Sequence, residues 1–371
     1  MPRELIAIAP RTPQLREYDE SPLTPRQIRI RTELASPKHG TELVGYRAEN
    51  AGRPYDSAWG AVIPVAAEGT GGFPFALGNM AVGTVSEIGP EVSRFTVGDR
   101  VFGHLSIRET HTVEETNVDP LPEELSAEAA VCLDPAVMMM AMRDAAIKLG
   151  DDVAVFGLGA LGLMGVQLAR IAGAATVIGV DPIQARRNVA QQLGADVTLD
   201  PTADDGDAGL AIRRMTGLYQ RDGSEPPERQ RVIGGYWEAP SQHRQLGVDV
   251  AIESSGSIQA LHHAIRSARF GGTICMISYY GRDAAGLRLG EEFHVNQLQL
   301  VSSRVESLPL RDAPAWDLQR LVDVALGWLV SGRLSAAGIL RPIVPFEDAE
   351  EAYRSIDEHP EQSIKLGIWF G

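Results

Sequence analysis

A glycine-rich turn carries the clearest chemical signal in this sequence. Gly157, Gly159 and Gly162 form a G-x-G-x-x-G pattern, with Leu161 inside it, directly after the apolar run Val153–Phe156. In such a turn the first glycine permits the tight bend, the second admits a pyrophosphate, and the third lets helix and strand pack closely. The helix that follows offers free N–H groups to phosphate oxygens. The pattern predicts a dinucleotide-binding loop.

An acidic residue follows the loop at the spacing found in dinucleotide-binding loops. Asp181 ends the next apolar run, Thr176–Val180, roughly 20 residues beyond the loop. A carboxylate at that point accepts both ribose hydroxyls of an adenosine and repels the extra phosphate of NADP, so NAD is the predicted cofactor. Arg186 and Arg187 follow closely and could tolerate a 2′-phosphate. NADP therefore stays open as an alternative.

The elements that would position these residues alternate between strand and helix. Predicted helices are Gln184–Leu193, Ala208–Thr216 and Ile258–Ala268, and predicted strands are Asp196–Leu199, Val248–Glu253, Gly272–Ser278 and Leu298–Ser303. With the first two strands they predict a doubly wound, six-stranded parallel sheet in an α/β domain. Residues 127–148 are predicted to be helical, with Met138–Met142 as flexible core filler. The polar segment 218–246 is predicted to be a surface insertion, or a lid or subunit contact.

The remaining residues have a different character. Before residue 130, short predicted strands at Leu5–Ala9, Gln27–Thr32, Met80–Ile88 and Arg100–Phe102 are separated by Pro and Gly turns. Many short strands of this kind predict an antiparallel, partly barrel-like β domain. After residue 305, we predict helices at Trp316–Val330 and Phe346–Asp357 and strands at Ile343–Pro345 and Lys365–Phe370.

Composition limits the classes of function. A chain of 371 residues exceeds what one core usually organises, so two domains are expected. A net charge of −15 argues against nucleic acid or an anionic membrane surface as the partner. Two cysteines cannot make a disulfide framework, and no run is long and apolar enough to cross a membrane. We expect a cytoplasmic protein that acts on a small molecule.

Several segments together resemble one known family. They are His39-Gly40-Thr41-Glu42, Gly78 with Val82–Val85 and Gly89, Val97–Val101, the Gly157–Gly162 loop with Asp181, Ala349–Tyr353 and Lys365. In this combination the chain resembles the medium-chain dehydrogenase/reductase superfamily, the zinc-alcohol-dehydrogenase-like fold. The resemblance implies a GroES-like catalytic domain from residues 1–130 and 305–371, and a Rossmann domain at 131–304. It also implies an active site in the cleft between the domains and a homo-oligomer, either a dimer or a tetramer.

The chain departs from this family at the metal ligands. Zinc-dependent members have Cys where this chain has His39, and a Gly-His-Glu motif where this chain has Asn79 and Met80. The third ligand position falls at Cys132 or Asp134. Asn and Met are poor zinc ligands, and two cysteines cannot form the family's four-cysteine lobe, so no zinc is predicted. The alternative is a metal site rebuilt from His39, Glu68 and Asp134.

Without zinc, side chains must handle the charge and the proton at the reacting oxygen. The hydroxyl at the Thr41 position relays the substrate proton in zinc-dependent relatives, and that role carries over to Thr41. His39 could act as acid or base, or be a hydrogen-bonded histidine beside a turn. Asn79 would be a neutral donor. Glu42 would either orient His39 or be a surface charge.

Other candidates follow predicted strands of the nucleotide domain. By family position Ser254, Ser278 and Ser303 should contact the nicotinamide ribose and carboxamide. Lys365 or Arg304 could pair with the pyrophosphate, or be an ordinary surface cation. The side chains expected near the substrate are Tyr46, Arg47, Tyr55, Trp59 and His104.

These observations predict a zinc-independent, NAD(H)-dependent oxidoreductase. It would interconvert a secondary alcohol, such as a polyol, cyclitol or sugar, and a ketone by hydride transfer. One alternative is an NADPH-dependent quinone or enoyl reductase of the same superfamily. A second is a relative that binds nucleotide without catalysis.

Overall fold

The computed structural model describes the chain except residues 50–54, 57, 59, 63–71, 204–205, 217–229, 232–236, 239–245 and 281–282, and gives only the backbone of 55–56, 230–231 and 237–238. The chain divides into two compact units, Met1–Asp134 with Trp328–Gly371, and Pro135–Gly327. The predicted boundaries were residues 130 and 305. Residues 305–327 belong with the second unit because Asp312 pairs with Arg143 at 2.6 Å and Arg311 donates to the Ser302 carbonyl at 2.9 Å.

The N-terminal part of the first unit consists of short strands and two helices. The strands are β1 Arg3–Ala9, β2 Thr12–Glu17, β3 Gln27–Ser36, β4 Tyr55–Asp56, β5 Ala61–Val62, β6 Phe75–Ala76, β7 Met80–Ile88, β8 Arg100–Gly103, β9 Thr110–Glu114 and β10 Asp119–Pro120. The helices are α1 His39–Tyr46 and α2 Ala127–Ala130. Strand β7 has the predicted bounds.

The second unit alternates strands and helices. Its elements begin with α3 Leu133–Ala136, which crosses the boundary, and α4 Met139–Asp144, then β11 Asp152–Phe156, α5 Ala160–Ile171, β12 Thr176–Val180, α6 Gln184–Gln192, β13 Val197–Leu199, α7 Ala208–Met215, β14 Gln230–Arg231, β15 Trp237–Glu238, β16 Val248–Glu253, α8 Ile258–Ser267, β17 Ala268–Met276 and β18 Gln299–Ser302. The chain then returns to the first unit through α9 Leu318–Val330, β19 Leu340–Pro345, α10 Ala349–Glu358 and β20 Lys365–Trp369.

The first unit is built on a mainly antiparallel sheet. Its strand order is β10-β8-β7-β3-β20-β19, with β9 also paired to β3, and only the β19–β20 pair is parallel. Because β20 pairs with β3, the last strand of the chain completes the sheet that the first residues begin. A buried core that includes Leu5, Ile30, Val85 and Tyr353 lies against it. The predicted antiparallel β region is confirmed.

The second unit holds the predicted parallel sheet. Its order is β13-β12-β11-β16-β17-β18, and every neighbouring pair is parallel. Numbered along the chain this order is 3-2-1-4-5-6, which is the arrangement of a doubly wound dinucleotide fold. The fold prediction is confirmed.

Several predicted elements need correction, among them β3, which runs to Ser36 and not Thr32, and β19, which begins at Leu340 and not Ile343. The helix predicted over 127–148 is three short helices, α2, α3 and α4, and Pro135, which cannot donate to the Val131 carbonyl, accounts for the break between α2 and α3. The strand predicted from Gly272 begins at Ala268. Most of the 218–246 insertion lies outside the described residues. In the part of the chain that is described, no helix is both long and apolar enough to cross a bilayer.

Candidate functional site

The parallel register brings the predicted cofactor residues to one edge of the sheet. The last residues of five strands lie side by side, namely Val180, Phe156, Glu253, Met276 and Ser302. The residues that follow these strands therefore share the carboxyl edge, where open α/β sheets bind their ligands. Gly157, Asp181, Ser254, Ser278 and Ser303 all follow in this way.

The glycine loop has the geometry that a pyrophosphate requires. Gly157 has a φ of +86°, and a Cβ on Gly162 would lie 1.8 Å from the Gly157 carbonyl oxygen, so neither position accepts a side chain. A Cβ on Gly159, by contrast, would meet no atom within 4 Å. The loop is therefore packed tightly against the protein but open at Gly159, immediately before helix α5. A dinucleotide phosphate fits this space.

Asp181 is tied to the same loop. One carboxylate oxygen accepts the Leu158 N–H at 2.7 Å, and the other accepts the Ile183 N–H at 2.8 Å. A carboxylate has about four acceptor positions, so it can still accept ribose hydroxyls. Arg186 lies 3.7 Å from the carboxylate. Burial lowers the pKa of Arg186, and Asp181 opposes that shift.

Two of the predicted serines hydrogen-bond within the second unit. Ser254 Oγ donates to the carbonyls of Phe156 at 3.0 Å and Gly157 at 2.7 Å, so it supports the base of the glycine loop. Ser303 is buried and donates to Asp144 at 2.6 Å. Their contacts with a ribose stay predictions.

Sequence reasoning missed Glu253, which organises the neighbouring loops. It is fully buried at the end of β16 and accepts the N–H groups of Ser255 at 2.8 Å and Gly256 at 3.4 Å. It also hydrogen-bonds the hydroxyls of Ser255 and Tyr280. Burial, and then the Glu253 charge, raise the pKa of Tyr280. An acid that ends an apolar strand was the sequence signal for this role.

In the first unit, Glu42 joins three separate segments. Its carboxylate accepts the backbone N–H of Lys38, the N–H of Gly78 at 2.8 Å and the Tyr353 hydroxyl at 3.1 Å. Burial raises the pKa of Glu42, and these hydrogen bonds oppose that rise. The surface-charge interpretation of Glu42 is wrong, because its side chain is enclosed by these partners. Sequence reasoning did not find Tyr353 as the partner, because more than 300 residues separate the two.

The remaining catalytic candidates lie around the start of α1. His39 Nε2 accepts the Leu366 N–H at 3.0 Å, which leaves the proton of a neutral imidazole on Nδ1. Thr41 is exposed in the first turn of α1. Gly78 has a φ of +111°, and a Cβ there would lie 2.5 Å from the Ile107 nitrogen, so a glycine is required beside Asn79. The Asn79 amide nitrogen is buried and has no hydrogen-bond partner among the described residues.

Lys365 is a buried residue of the first unit, so the surface-cation alternative is wrong for it. Its Nζ donates to the Pro37 carbonyl at 2.9 Å. Burial lowers the pKa of Lys365, and the charges of Cys132, Asp134 and Glu42 oppose that shift. Arg304, in contrast, is an exposed cation that pairs with Glu306. The pyrophosphate role of Lys365 stays a prediction.

Among the described residues, two donors at the family's metal position already have other partners. Asp134 Oδ1 accepts the Lys38 ammonium at 3.0 Å, and the Nε2 lone pair of His39 is used by Leu366. Burial raises the pKa of the Cys132 thiol to about 11, which disfavours the thiolate that binds metals. Among the described residues, no group of three or more His, Cys, Asp or Glu side chains could hold a metal ion. Glu68, from the alternative site, lies outside those residues.

The side chains expected near the substrate differ in burial and in their contacts. Tyr46 is a core residue, fully buried with its ring 5.1 Å from that of Tyr353. Arg47 pairs with Asp357, and His104 is exposed. The side chains of Tyr55 and Trp59 lie outside the described residues.

Known proteins match both units. Residues 160–321 match a family model described as zinc-binding dehydrogenase, and residues 58–123 match the alcohol dehydrogenase GroES-like domain. The chain is 36% identical to D-guloside 3-dehydrogenase of Escherichia coli (strain K12), over 99% of this chain and 100% of that protein.

Solved structures share the fold. The chain superimposes on an oxidoreductase/dehydrogenase of unknown specificity from Escherichia coli with a TM-score of 0.71 and 19% identity, covering all of both chains. It superimposes on 2R,3R-butanediol dehydrogenase from Bacillus subtilis with a TM-score of 0.69 and 21% identity, over 100% of this chain and 99% of that one. The chain belongs to the zinc-type medium-chain dehydrogenase superfamily and is an alcohol-dehydrogenase-like enzyme.

Proposed function

We propose that this enzyme is a zinc-independent, NAD(H)-dependent oxidoreductase that interconverts a secondary alcohol of a sugar, polyol or similar compound and a ketone. The observation that carries the proposal is the pairing of an open phosphate loop at Gly159 with a metal position whose donors are already engaged. The relative named D-guloside 3-dehydrogenase supports a ring hydroxyl of a glycoside as the substrate class.

The preference for NAD rests on Asp181. Its carboxylate lies at the carboxyl edge of β12 and retains acceptor positions for the adenosine ribose. A 2′-phosphate would meet that negative charge. Arg186, at 3.7 Å, weakens the discrimination because it partly balances the charge of Asp181. NAD is therefore preferred and NADP is tolerated poorly.

Bound NAD supplies the hydride acceptor, and the protein handles the proton. Thr41 is exposed at the start of α1 and relays the proton of the substrate hydroxyl. Thr41 releases that proton to solvent, because His39 accepts the Leu366 N–H through Nε2 and its Nδ1–H can only donate a hydrogen bond. The Asn79 amide, which has no hydrogen-bond partner among the described residues, donates a hydrogen bond to the substrate. Glu42 holds the segments that carry these groups and acts as a positioning residue.

The test is a turnover assay on purified protein. We expect NAD⁺ reduction with one or more members of a panel containing a D-guloside, a polyol and a 2,3-butanediol, and we expect it to persist after dialysis against a chelator. NADPH-dependent reduction of an enone, with no alcohol oxidised, would favour the quinone or enoyl reductase. NADH binding with neither reaction would favour a non-catalytic relative.

A further inference from the structure

The chain uses lysine at very few positions. It contains 34 Lys and Arg residues, of which only three are lysines, at positions 38, 148 and 365. Nearly all of the basic side chains in this protein, on the surface and in ion pairs, are therefore arginines. A lysine differs from arginine in carrying a compact, strongly hydrated point charge with three rotatable donors. Positions that keep lysine in such a chain are candidates for a role that needs an ammonium group.

One of the three lysines, Lys38, forms an ion pair with Asp134. Lys38 Nζ lies 3.0 Å from Asp134 Oδ1, with the side chains only 27% and 13% exposed. The charge of Asp134 also acts on the buried Lys365, whose Nζ donates to the carbonyl of Pro37. Lys365 thus holds the residue before Lys38, and Asp134 holds the ammonium of Lys38.

The peptide group between Pro37 and Lys38 is held at both its carbonyl and its N–H. Lys365 holds the Pro37 carbonyl at 2.9 Å, and Glu42 accepts the Lys38 N–H. Because the backbone and the ammonium are both anchored, the side chain of Lys38 has little freedom to leave Asp134. The partial exposure of Lys38 leaves its remaining N–H donors available to a ligand.

This ion pair stands where the family resemblance places the metal ligands. Lys38 immediately precedes His39 and the relay residue Thr41, and Asp134 is a candidate for the third ligand position. The carboxylate that would bind a cation here already binds one, the ammonium of Lys38. A metal acts in such a reaction by stabilising negative charge on the substrate oxygen. A fixed N–H donor with a positive charge can supply that stabilisation as well.

We propose that the Lys38 ammonium, held by Asp134, donates a hydrogen bond to the substrate oxygen and takes the place of the metal ion. The inference rests on the proposed function. In the oxidation direction the hydroxyl proton would leave through Thr41, and NAD⁺, when bound, would accept the hydrogen of the C–H bond with both bonding electrons as hydride. The C=O bond forms, and the products are ketone, NADH and one proton. Lys38 keeps all its protons and stabilises the alkoxide character of the oxygen.

The experiment compares wild type, Lys38→Ala, Lys38→Gln and the control Lys148→Ala, which removes the exposed lysine of the second unit. Each is assayed for NAD⁺ reduction on the alcohol panel, for NADH affinity by fluorescence, and for folding by circular dichroism. We expect Lys38→Ala to lower kcat/KM at least about 100-fold, as for loss of an oxyanion donor. NADH affinity should not change, and Lys148→Ala should match wild type.

Chemical rescue separates a catalytic ammonium from a structural one. Methylammonium should restore part of the Lys38→Ala activity in proportion to its concentration, whereas tetramethylammonium, which has no N–H donor, should not. Lys38→Gln is judged by its kcat/KM if Lys38→Ala does not fold. Activity of a Lys38 variant within about threefold of wild type, or equal effects of both amines, would overturn the proposal while the proposed function stands. A wild type that oxidises no alcohol of the panel would overturn both.

Discussion

At the scale of single residues, we propose that Asp181 selects NAD over NADP. The variant Asp181→Asn keeps an acceptor for the Leu158 N–H but removes the charge that repels a 2′-phosphate. We expect the ratio of kcat/KM with NADP⁺ to that with NAD⁺ to rise about tenfold, equivalent to about 1.4 kcal/mol. Asp196→Asn removes an acid that pairs with Arg170 in the same unit and should leave the ratio unchanged. An unchanged ratio in Asp181→Asn would mean that another group selects the cofactor.

We expect the stability of the first unit to depend on pH because of His111. Burial, and then the charge of Arg108, lower the pKa of His111 from 6.5 to about 3. Between these values the unfolded chain binds more protons than the folded chain, so stability falls as the pH drops below 6.5. The slope from one such group is at most about 1.4 kcal/mol per pH unit. We expect His111→Gln to flatten the dependence on pH.

Urea unfolding of both proteins between about pH 5 and about pH 7 measures this slope. His262→Gln is a suitable control, since it replaces a histidine of the second unit. If His111→Gln loses stability on acidification as steeply as wild type, His111 is not the responsible group.

Single positions of the site were predictable from sequence only where a local pattern marks them. Gly157, Gly159, Gly162 and Asp181 lie within one short stretch, and their spacing alone defines the loop. Lys38 and its partner Asp134 were not predictable as a pair, because 96 residues separate them and nothing local connects them. The role of each side chain depends on which distant segment the fold brings beside it.

At the scale of elements, two glycines of the turn between β11 and α5 have different roles, one in binding and one in both folding and binding. Gly159→Ala would place a methyl group in open space, whereas Gly162→Ala would drive it against the Gly157 carbonyl. We expect Gly159→Ala to keep the Tm of wild type and to weaken NADH binding at least about tenfold. Gly162→Ala should lower the Tm as well as the affinity. Normal NADH affinity in Gly159→Ala would show that no phosphate lies against this loop.

The carboxyl end of β16 depends on Glu253. Glu253→Gln replaces a charged acceptor that serves two N–H groups and two hydroxyls. We expect it to lower the free energy of unfolding by about 1–3 kcal/mol and to weaken NADH binding. Tyr280→Phe removes one of these hydrogen bonds and should have a smaller effect. Equal effects of the two variants would contradict the central place of Glu253 in this network.

Element boundaries were predicted well where apolar runs end at turn residues. Strands β7, β12 and β16 have the predicted bounds, since each is an apolar run that the next glycine or polar residue ends. The helical region 127–148 was predicted as one element, because its apolar residues are nearly continuous and hide the breaks at 131–132 and 137–138. Hydrophobic pattern locates an element, but backbone chemistry decides where it breaks.

At the scale of the whole molecule, both architectures could be predicted because each produces a regular pattern of apolar and turn residues in the sequence. Alternating strands and helices predicted the parallel sheet, and short strands between Pro and Gly turns predicted the antiparallel one. The resemblance implied that the end of the chain returns to the first domain, but the pairing of β20 with β3 was not predicted. Pairing between distant strands leaves no local signal.

The central claim is that this enzyme kept the dinucleotide loop of a zinc-type superfamily and replaced the metal with side chains. The most direct measurement is the zinc content of the purified, active protein, determined by mass spectrometry alongside its rate of NAD⁺ reduction before and after chelation. We predict zinc far below one ion per chain and a rate that chelation does not change. One zinc ion per chain, with activity that is lost on chelation and restored by zinc, would contradict the account.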